Sequence, residues 1–133
     1  MKIVGCGPRH LAHGNENDKI LYLAGELDST IRILSYEKNG LEMIRAYKIS
    51  ENPSNFPSEI AYINKVVYFA CRGDNCIAVF DEKKDEEGIG LTERMKFKVG
   101  NWPRHFKVEN NGVIYVACQY ENLVQRFRWE GEK

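Results

Sequence analysis

A repeat of about 46 residues constrains the fold of this chain more than any other sequence feature. Three segments align without gaps: KILYLAGELDSTIRILSY from Lys19, KVVYFACRGDNCIAVFDE from Lys65 and GVIYVACQYENLVQRFRW from Gly112. One tyrosine recurs in them at intervals of 46 and 47 residues, as Tyr22, Tyr68 and Tyr115. A period of this length indicates one supersecondary unit that is copied along the chain.

Each repeat has the composition of short β-strands. ILYLA, VVYFA and VIYVA are β-branched and aromatic, and the turn-rich ELDS, RGDN and QYEN follow them. TIRILSY, CIAVF and LVQRF come next and complete a hairpin. Flanking stretches supply an inner and an outer strand. Four strands in about 46 residues are typical of a β-propeller blade, and no helical period of adequate length occurs. We therefore expect an all-β protein, a β-propeller of consecutive four-stranded antiparallel blades.

The repeat count predicts an incomplete ring. Residues 1–133 form one partial propeller, with blades at approximately 5–50, 54–99 and 101–133, and the last blade stops at Trp129 without its outer strand. MKIV at residues 1–4 resembles the remnant of an outer strand. Propellers typically have 4–8 blades. We expect a piece of a longer propeller, or a protein that needs partner chains and self-associates through open blade edges.

Composition and charge exclude several classes of function. Lysine plus arginine equals aspartate plus glutamate, at 19 each, which argues against a broad nucleic-acid interface. No apolar run approaches the roughly 18 residues of a membrane span, and MKIVGCGPRH lacks the apolar core of a signal peptide. We therefore expect a cytoplasmic protein with no nucleic-acid or membrane partner.

Two further features have plain interpretations. The four cysteines, Cys6, Cys71, Cys76 and Cys118, form no CxxC pair, and we expect small buried side chains, with a reactive thiol as the lesser alternative. The charge run DEKKDEEGIG, residues 81–90, is expected to be a solvated hairpin loop; a docking site for a basic partner is the alternative.

Charged residues recur where the inner strands begin. Pro-Arg-His opens the first and third repeats, and one position just past the second strand holds Glu26, Arg72 and Gln119 in turn. Because blade strands run up and down, these positions share one face, near the central channel. The residues expected to gather there are Arg9, His10, Glu26, Glu59, Arg72, Arg104 and His105. Such convergence of polar groups is a signal for an active site.

Each of these residues also has a structural interpretation. A histidine that begins a strand can be a hydrogen-bonding anchor, and Glu26 and Arg72 can be simple turn charges. The change from Glu26 to Arg72 to Gln119 at one repeat position favours a functional site. A neighbouring position stays acidic, as Asp28, Asp74 and Glu121, and is expected to brace a turn. His13 is expected at the far end of its strand, away from the site.

The ordered set GPRHLA, ILYLAGELDSTI, RGDNCIAVF and WPRHF resembles the seven-bladed propeller lactonases, that is, bacterial-type 6-phosphogluconolactonases and fungal carboxymuconate-lactonizing enzymes. The resemblance runs from about Gly5 to Phe127. It implies a lactone hydrolase of carbohydrate metabolism, in the pentose phosphate pathway, that acts on a small-molecule lactone or phosphorylated sugar acid. Gly25 and Cys71 depart from the family, which usually has Asn at both positions.

The resemblance also implies roles for the charged residues. The implied catalytic residues are His10, Glu26 and Arg72, and the implied substrate-binding residues are Arg9, Arg104 and His105. A neutral histidine can take a proton from water, since an ordinary imidazole titrates near pH 6.5, and Glu26 can orient it or act as the base. Guanidinium groups can bind a phosphate or stabilise an oxyanion.

Neither a metal nor another cofactor is expected, because the sequence offers no convincing ligand set. Two alternatives stay open. One is lactonization of an unsaturated dicarboxylate, and the other is a non-catalytic propeller module that binds a protein partner, for which Tyr120 is the candidate contact.

Overall fold

The structure is a computed structural model that describes residues 1–128. Trp129, at which we expected the third strand of the last repeat to end, lies outside the described residues. The described part contains strands in three antiparallel sheets and two short 3₁₀ helices, Glu16–Asp18 and Gln119–Glu121. None of its helices is long and apolar enough to cross a lipid bilayer.

The three sheets follow one another along the chain as propeller blades. Blade 1 consists of β1 (Pro8–His13), β2 (Ile20–Gly25), β3 (Thr30–Glu37) and β4 (Gly40–Lys48), in that spatial order. Blade 2 consists of β5 (Pro57–Ile63), β6 (Val66–Cys71), β7 (Cys76–Asp85) and β8 (Gly88–Lys98). Blade 3 has β9 (Pro103–Val108), β10 (Val113–Cys118) and β11 (Leu123–Arg128) within the described residues. The all-β propeller fold predicted from the repeat is confirmed.

The shared proline sets the start of every inner strand. Pro8, Pro57 and Pro103 lie opposite the last residue of the neighbouring strand, and the register shifts immediately afterwards. The residue before each proline has a positive φ, which is 62° at Gly7, 45° at Phe56 and 63° at Trp102. Bulky residues rarely adopt this conformation, and proline normally drives its predecessor to extended backbone. Contacts with surrounding residues must therefore stabilise this unfavourable backbone conformation at Phe56 and Trp102.

Hydrophobic side chains alternate between the two faces of each sheet, and the blades therefore pack together in two separate hydrophobic cores. Even-numbered residues of β2, such as Tyr22 and Ala24, pack against Val67, Phe69 and other buried residues of blade 2, and we call this the first junction. The opposite face of β6 and β7 packs against Phe106, Ile114, Val116 and Cys118 of blade 3 in a second core. Successive side chains in a strand point to opposite faces, so one hydrophobic strand can serve two junctions.

Two sequence-based expectations are wrong. The charge run 81–90 is mostly not a loop, because β7 continues to Asp85, β8 begins at Gly88, and Lys83 pairs with Gly90 in the ladder. Residues 1–4 form no strand. Ile3 instead packs against the small cluster of Cys6, Leu23 and Leu34 on the face of blade 1 away from blade 2.

Candidate functional site

Three inner strands bring two histidines to one carboxylate. His10, Glu59 and His105 each stand two residues after the proline that opens β1, β5 or β9. Glu59 Oε2 lies 3.7 Å from His10 Nε2 and 3.4 Å from His105 Nε2. The Glu59 side chain is only 14% exposed, whereas the imidazoles are 42% and 62% exposed. The carboxylate is therefore largely shielded from solvent, whereas the two imidazoles that face it remain exposed.

Arg72 adds a buried cation beside this cluster. Its side chain is 6% exposed and forms an ion pair with Glu26 of blade 1. Its Nε–H donates to the carbonyl oxygen of Phe56 at 2.6 Å, and its guanidinium carbon lies 5.4 Å from the centre of the Trp102 ring. The backbone of Phe56 has a left-handed conformation, and its carbonyl oxygen accepts the hydrogen bond that positions Arg72. We call His10, Glu26, Glu59, Arg72 and His105 the polar mouth.

Arg9 and Arg104 precede His10 and His105 by one residue but lie outside this network. Within residues 1–128 neither guanidinium has a hydrogen bond or an ion pair. Arg104 is exposed. Arg9 lines a shallow cavity of about 320 Å³ with Pro8, His10, Leu11 and Leu23, on the face of blade 1 that blade 2 does not cover. Neither guanidinium is therefore paired with a described residue, whereas Arg72 is paired with Glu26.

The structure changes the partner that the sequence suggested for His10. We expected Glu26 to orient the imidazole or to act as the base, but the described contacts place Glu26 on Arg72 and Glu59 on both imidazoles. Glu59 was expected on this face without an assigned role. The available signal was its equivalence to His10 and His105, because all three follow the shared proline by two residues.

A second polar cluster lies at the opposite end of the first junction. The hydroxyls of Tyr22 and Tyr62 both donate to Glu82, and Lys84 Nζ lies 3.0 Å from Asp18 Oδ1. Burial, followed by the hydrogen bond to Glu82, raises the pKa of each tyrosine above its usual range. We call these five residues the polar base.

His13 lies at the far end of β1, as expected, and its ring centre is 5.9 Å from that of Tyr36 in an edge-to-face arrangement. Glu82 comes from the charge run that was expected to be a loop.

The chemistry of the mouth comes from its ionisable side chains. Among the described residues no cluster of three or more His, Cys, Asp or Glu side chains is arranged to hold a metal ion. The four cysteines are free and buried, as expected. The mouth instead offers imidazoles, a carboxylate and guanidiniums, which suit proton transfer and binding of anions.

Comparison with known proteins gives one consistent result. The family model described as "Lactonase, 7-bladed beta-propeller" matches residues 3–133. The 6-phosphogluconolactonase of Bacillus subtilis is 30% identical over 129 residues, which cover 90% of this chain and 36% of that protein.

Solved structures agree. A crystal structure of a Bacteroides fragilis protein superposes with a TM-score of 0.85 at 27% identity, over 96% of this chain and 36% of that one. A periplasmic gluconolactonase of Pseudomonas aeruginosa shares the fold, with a TM-score of 0.79 at 23% identity, over 93% of this chain and 36% of that one. This chain spans about a third of the length of such relatives.

Proposed function

Because the chain belongs to the seven-bladed β-propeller lactonase family, we propose that it contributes the polar mouth to a lactone hydrolase of the 6-phosphogluconolactonase type. The observation that carries the proposal is the sheltered Glu59 carboxylate between two solvent-open imidazoles. Neutral imidazole is suited to accept a proton from water, and a nearby carboxylate stabilises the cation that results.

The reaction that we propose is addition of water to the lactone carbonyl. His10 or His105 removes a proton from water as the water oxygen bonds to the carbonyl carbon. The ring C–O bond then breaks, and the proton passes to the departing ring oxygen, which becomes a hydroxyl group. Glu59 stabilises the imidazolium between these two steps.

The arginines divide into two roles. Arg72 donates through Nε to Phe56 and through Nη2 to Glu26, and no described residue accepts from Nη1. We assign the N–H groups of Nη1 to the oxyanion that develops on the carbonyl. Arg104, which is exposed and without a described partner, is assigned to the phosphate of a phosphorylated substrate, together with Arg9.

The proposed activity belongs to a complete ring in the cytoplasm, within carbohydrate metabolism. Large apolar side chains remain exposed on the outer faces of blades 1 and 3, among them Leu11, Tyr115 and Val124. Further blades of a longer chain, or additional copies of this chain, would cover them.

The test is lactone turnover in a ring-complete protein that carries these residues. His10→Ala should lower kcat for 6-phosphogluconolactone by about 100-fold, which is typical for loss of a general base. His13→Ala is the matched control and should leave kcat unchanged, because His13 lies at the other end of the same strand. Equal effects of the two substitutions, or none, would contradict the proposal.

A companion variant tests the phosphate assignment. Arg104→Ala should raise KM for the phosphorylated lactone and spare a non-phosphorylated lactone, because the interaction is with the phosphate and is present before the reaction. A fall in kcat with both substrates would instead place Arg104 at the reacting carbonyl.

A partner-binding module is the second candidate. Tyr120 is 65% exposed and stacks on Trp102 at 4.9 Å between ring centres, which forms an aromatic surface beside the mouth. Exposed aromatic residues are enriched at protein interfaces. Unchanged turnover in both His10→Ala and Arg72→Ala would favour this candidate.

A further inference from the structure

Two cysteines face each other across the turn that carries Arg72. Cys71 ends β6 and Cys76 begins β7, and the two residues are direct partners in the antiparallel register. Residues that lie directly opposite in an antiparallel pair have Cα atoms about 4.5–5.5 Å apart, which falls within the roughly 4.4–6.8 Å range that disulfides span. Both side chains belong to the core of the first junction, so they project from the same face of the sheet.

Cys76 has access to small molecules although it is largely buried. It lines an open cavity of about 330 Å³ together with Asp74, Lys96 and Lys98. Lys98 is the direct partner of Cys76 on β8, so an ammonium group stands across the strand from the thiol. The cavity therefore gives a reagent with carboxylate groups space and two cationic partners, beside the one carboxylate of Asp74.

The two thiols differ in reactivity. A hydrogen bond from Cys71 lowers the pKa of Cys76, against the effects of burial and of the Asp74 carboxylate, and Lys96 and Lys98 add to the lowering. The same hydrogen bond and burial raise the pKa of Cys71. Thiolate is the nucleophile in disulfide exchange, so Cys76 is the attacking thiol and Cys71 the resolving one.

We propose that Cys71 and Cys76 form a redox-modification site, which a low-molecular-weight disulfide oxidises to an intramolecular disulfide. The sulfur of Cys76 attacks the reagent disulfide, forms a mixed disulfide and releases one reagent thiol, which takes the proton of Cys76. The sulfur of Cys71 then attacks the Cys76 sulfur and releases the second reagent thiol, which takes the proton of Cys71. Two protein thiols are oxidised, and one reagent disulfide is reduced to two thiols.

The new bond would act on the polar mouth. The ring that it closes contains residues 71–76, including Arg72, whose guanidinium contacts Glu26 and Phe56. Closure requires Cβ atoms about 3.8 Å apart, closer than the roughly 4.5–5.5 Å of an unbridged pair. Oxidation therefore tightens the end of the hairpin from which Arg72 projects.

The test uses the 133-residue chain and oxidised glutathione, followed by alkylation and peptide mapping. We expect loss of two free thiols, a linked peptide that joins Cys71 to Cys76, and full reversal by dithiothreitol. Cys6 and Cys118 are the matched controls, because both are buried but neither has a cysteine as its strand partner. Both should stay available for alkylation after unfolding.

Variants separate the two roles. Cys71→Ser should accumulate a lasting mixed disulfide at Cys76, whereas Cys76→Ser should leave Cys71 reduced. A persistent mixed disulfide at Cys76 of the unsubstituted chain, or oxidation of Cys6 or Cys118 while this pair stays reduced, would overturn the proposal. The readout is chemical, so it is independent of whether the mouth hydrolyses lactones.

Discussion

The polar mouth and the polar base each contain a partly buried carboxylate, but the partners of the two carboxylates differ. At the base, Glu82 accepts hydrogen bonds from two tyrosine hydroxyls, one of which, Tyr22, is fully buried. At the mouth, Glu59 faces two imidazoles that are 42% and 62% exposed. Buried polar groups in a scaffold normally have partners, whereas groups at a binding site keep capacity for a ligand. We therefore expect the base to be structural and propose that the chemistry lies at the mouth.

Arg72 shows that this distinction also runs through the mouth itself. Its contacts with Glu26, Phe56 and Trp102 join all three blades. We therefore expect it to be a structural as well as a catalytic group, unlike the exposed imidazoles. Substitution of a structural group should therefore lower stability, whereas substitution of an exposed imidazole should lower turnover.

Arg72→Met should destabilise the chain most. The substitution leaves Glu26 without its cation and the Phe56 carbonyl without its donor, at a cost of about 2–4 kcal/mol, since Glu26 is partly solvated. The free energy of unfolding in urea measures the effect. Arg104→Met is the matched control at an exposed arginine and should change it by less than about 0.5 kcal/mol. Similar losses for both variants would refute the structural role of Arg72.

Tyr22→Phe should destabilise the base to a smaller extent. It removes one hydroxyl donor from Glu82, and a hydrogen bond to a charged group contributes about 1.5–3 kcal/mol. Tyr115 occupies the same repeat position but is 40% exposed. Tyr115→Phe is therefore the control and should be nearly neutral in the same urea titration. If the two substitutions were equally costly, the hydrogen bond to Glu82 would not be the cause.

Alkaline pH should reduce the contribution of the polar base to the free energy of unfolding. The pKa values of Tyr22 and Tyr62 are raised in the folded chain, so unfolded tyrosines ionise near pH 10 while the folded ones stay protonated. Their contribution to stability is complete below about pH 10 and is lost as pH rises further, by up to about 1.4 kcal/mol per pH unit for each tyrosine. Unfolding free energies between pH 9 and pH 11 should fall less steeply for Tyr22→Phe. Identical slopes would rule out this linkage.

The repeat explains why so much of the fold was predictable. Three copies of one pattern identified the strands, their antiparallel order and the shared proline, because strand propensity and turn chemistry act locally. The same symmetry placed His10 and His105 on one face. The charge run misled the prediction since its composition is that of a loop, whereas pairing between β7 and β8 continues through it.

The partners across blades could not be predicted. Glu26 and Glu59 were both expected on the same face, and nothing in the sequence determined which would meet an imidazole. That choice depends on how neighbouring blades are rotated and on how far each side chain reaches. The pairing of Tyr22 with Glu82, 60 residues apart, has the same origin.

The most direct measurement compares Glu59→Gln with Tyr22→Phe in a ring-complete protein, using lactone turnover and unfolding free energy for both. We predict that Glu59→Gln lowers kcat by about 100-fold and leaves stability within about 0.5 kcal/mol, because it removes the charge that stabilises the imidazolium and keeps the side-chain shape. Tyr22→Phe should instead lose stability and keep kcat. Unchanged turnover in Glu59→Gln, or an equal loss of kcat in Tyr22→Phe, would contradict the assignment of chemistry to the mouth.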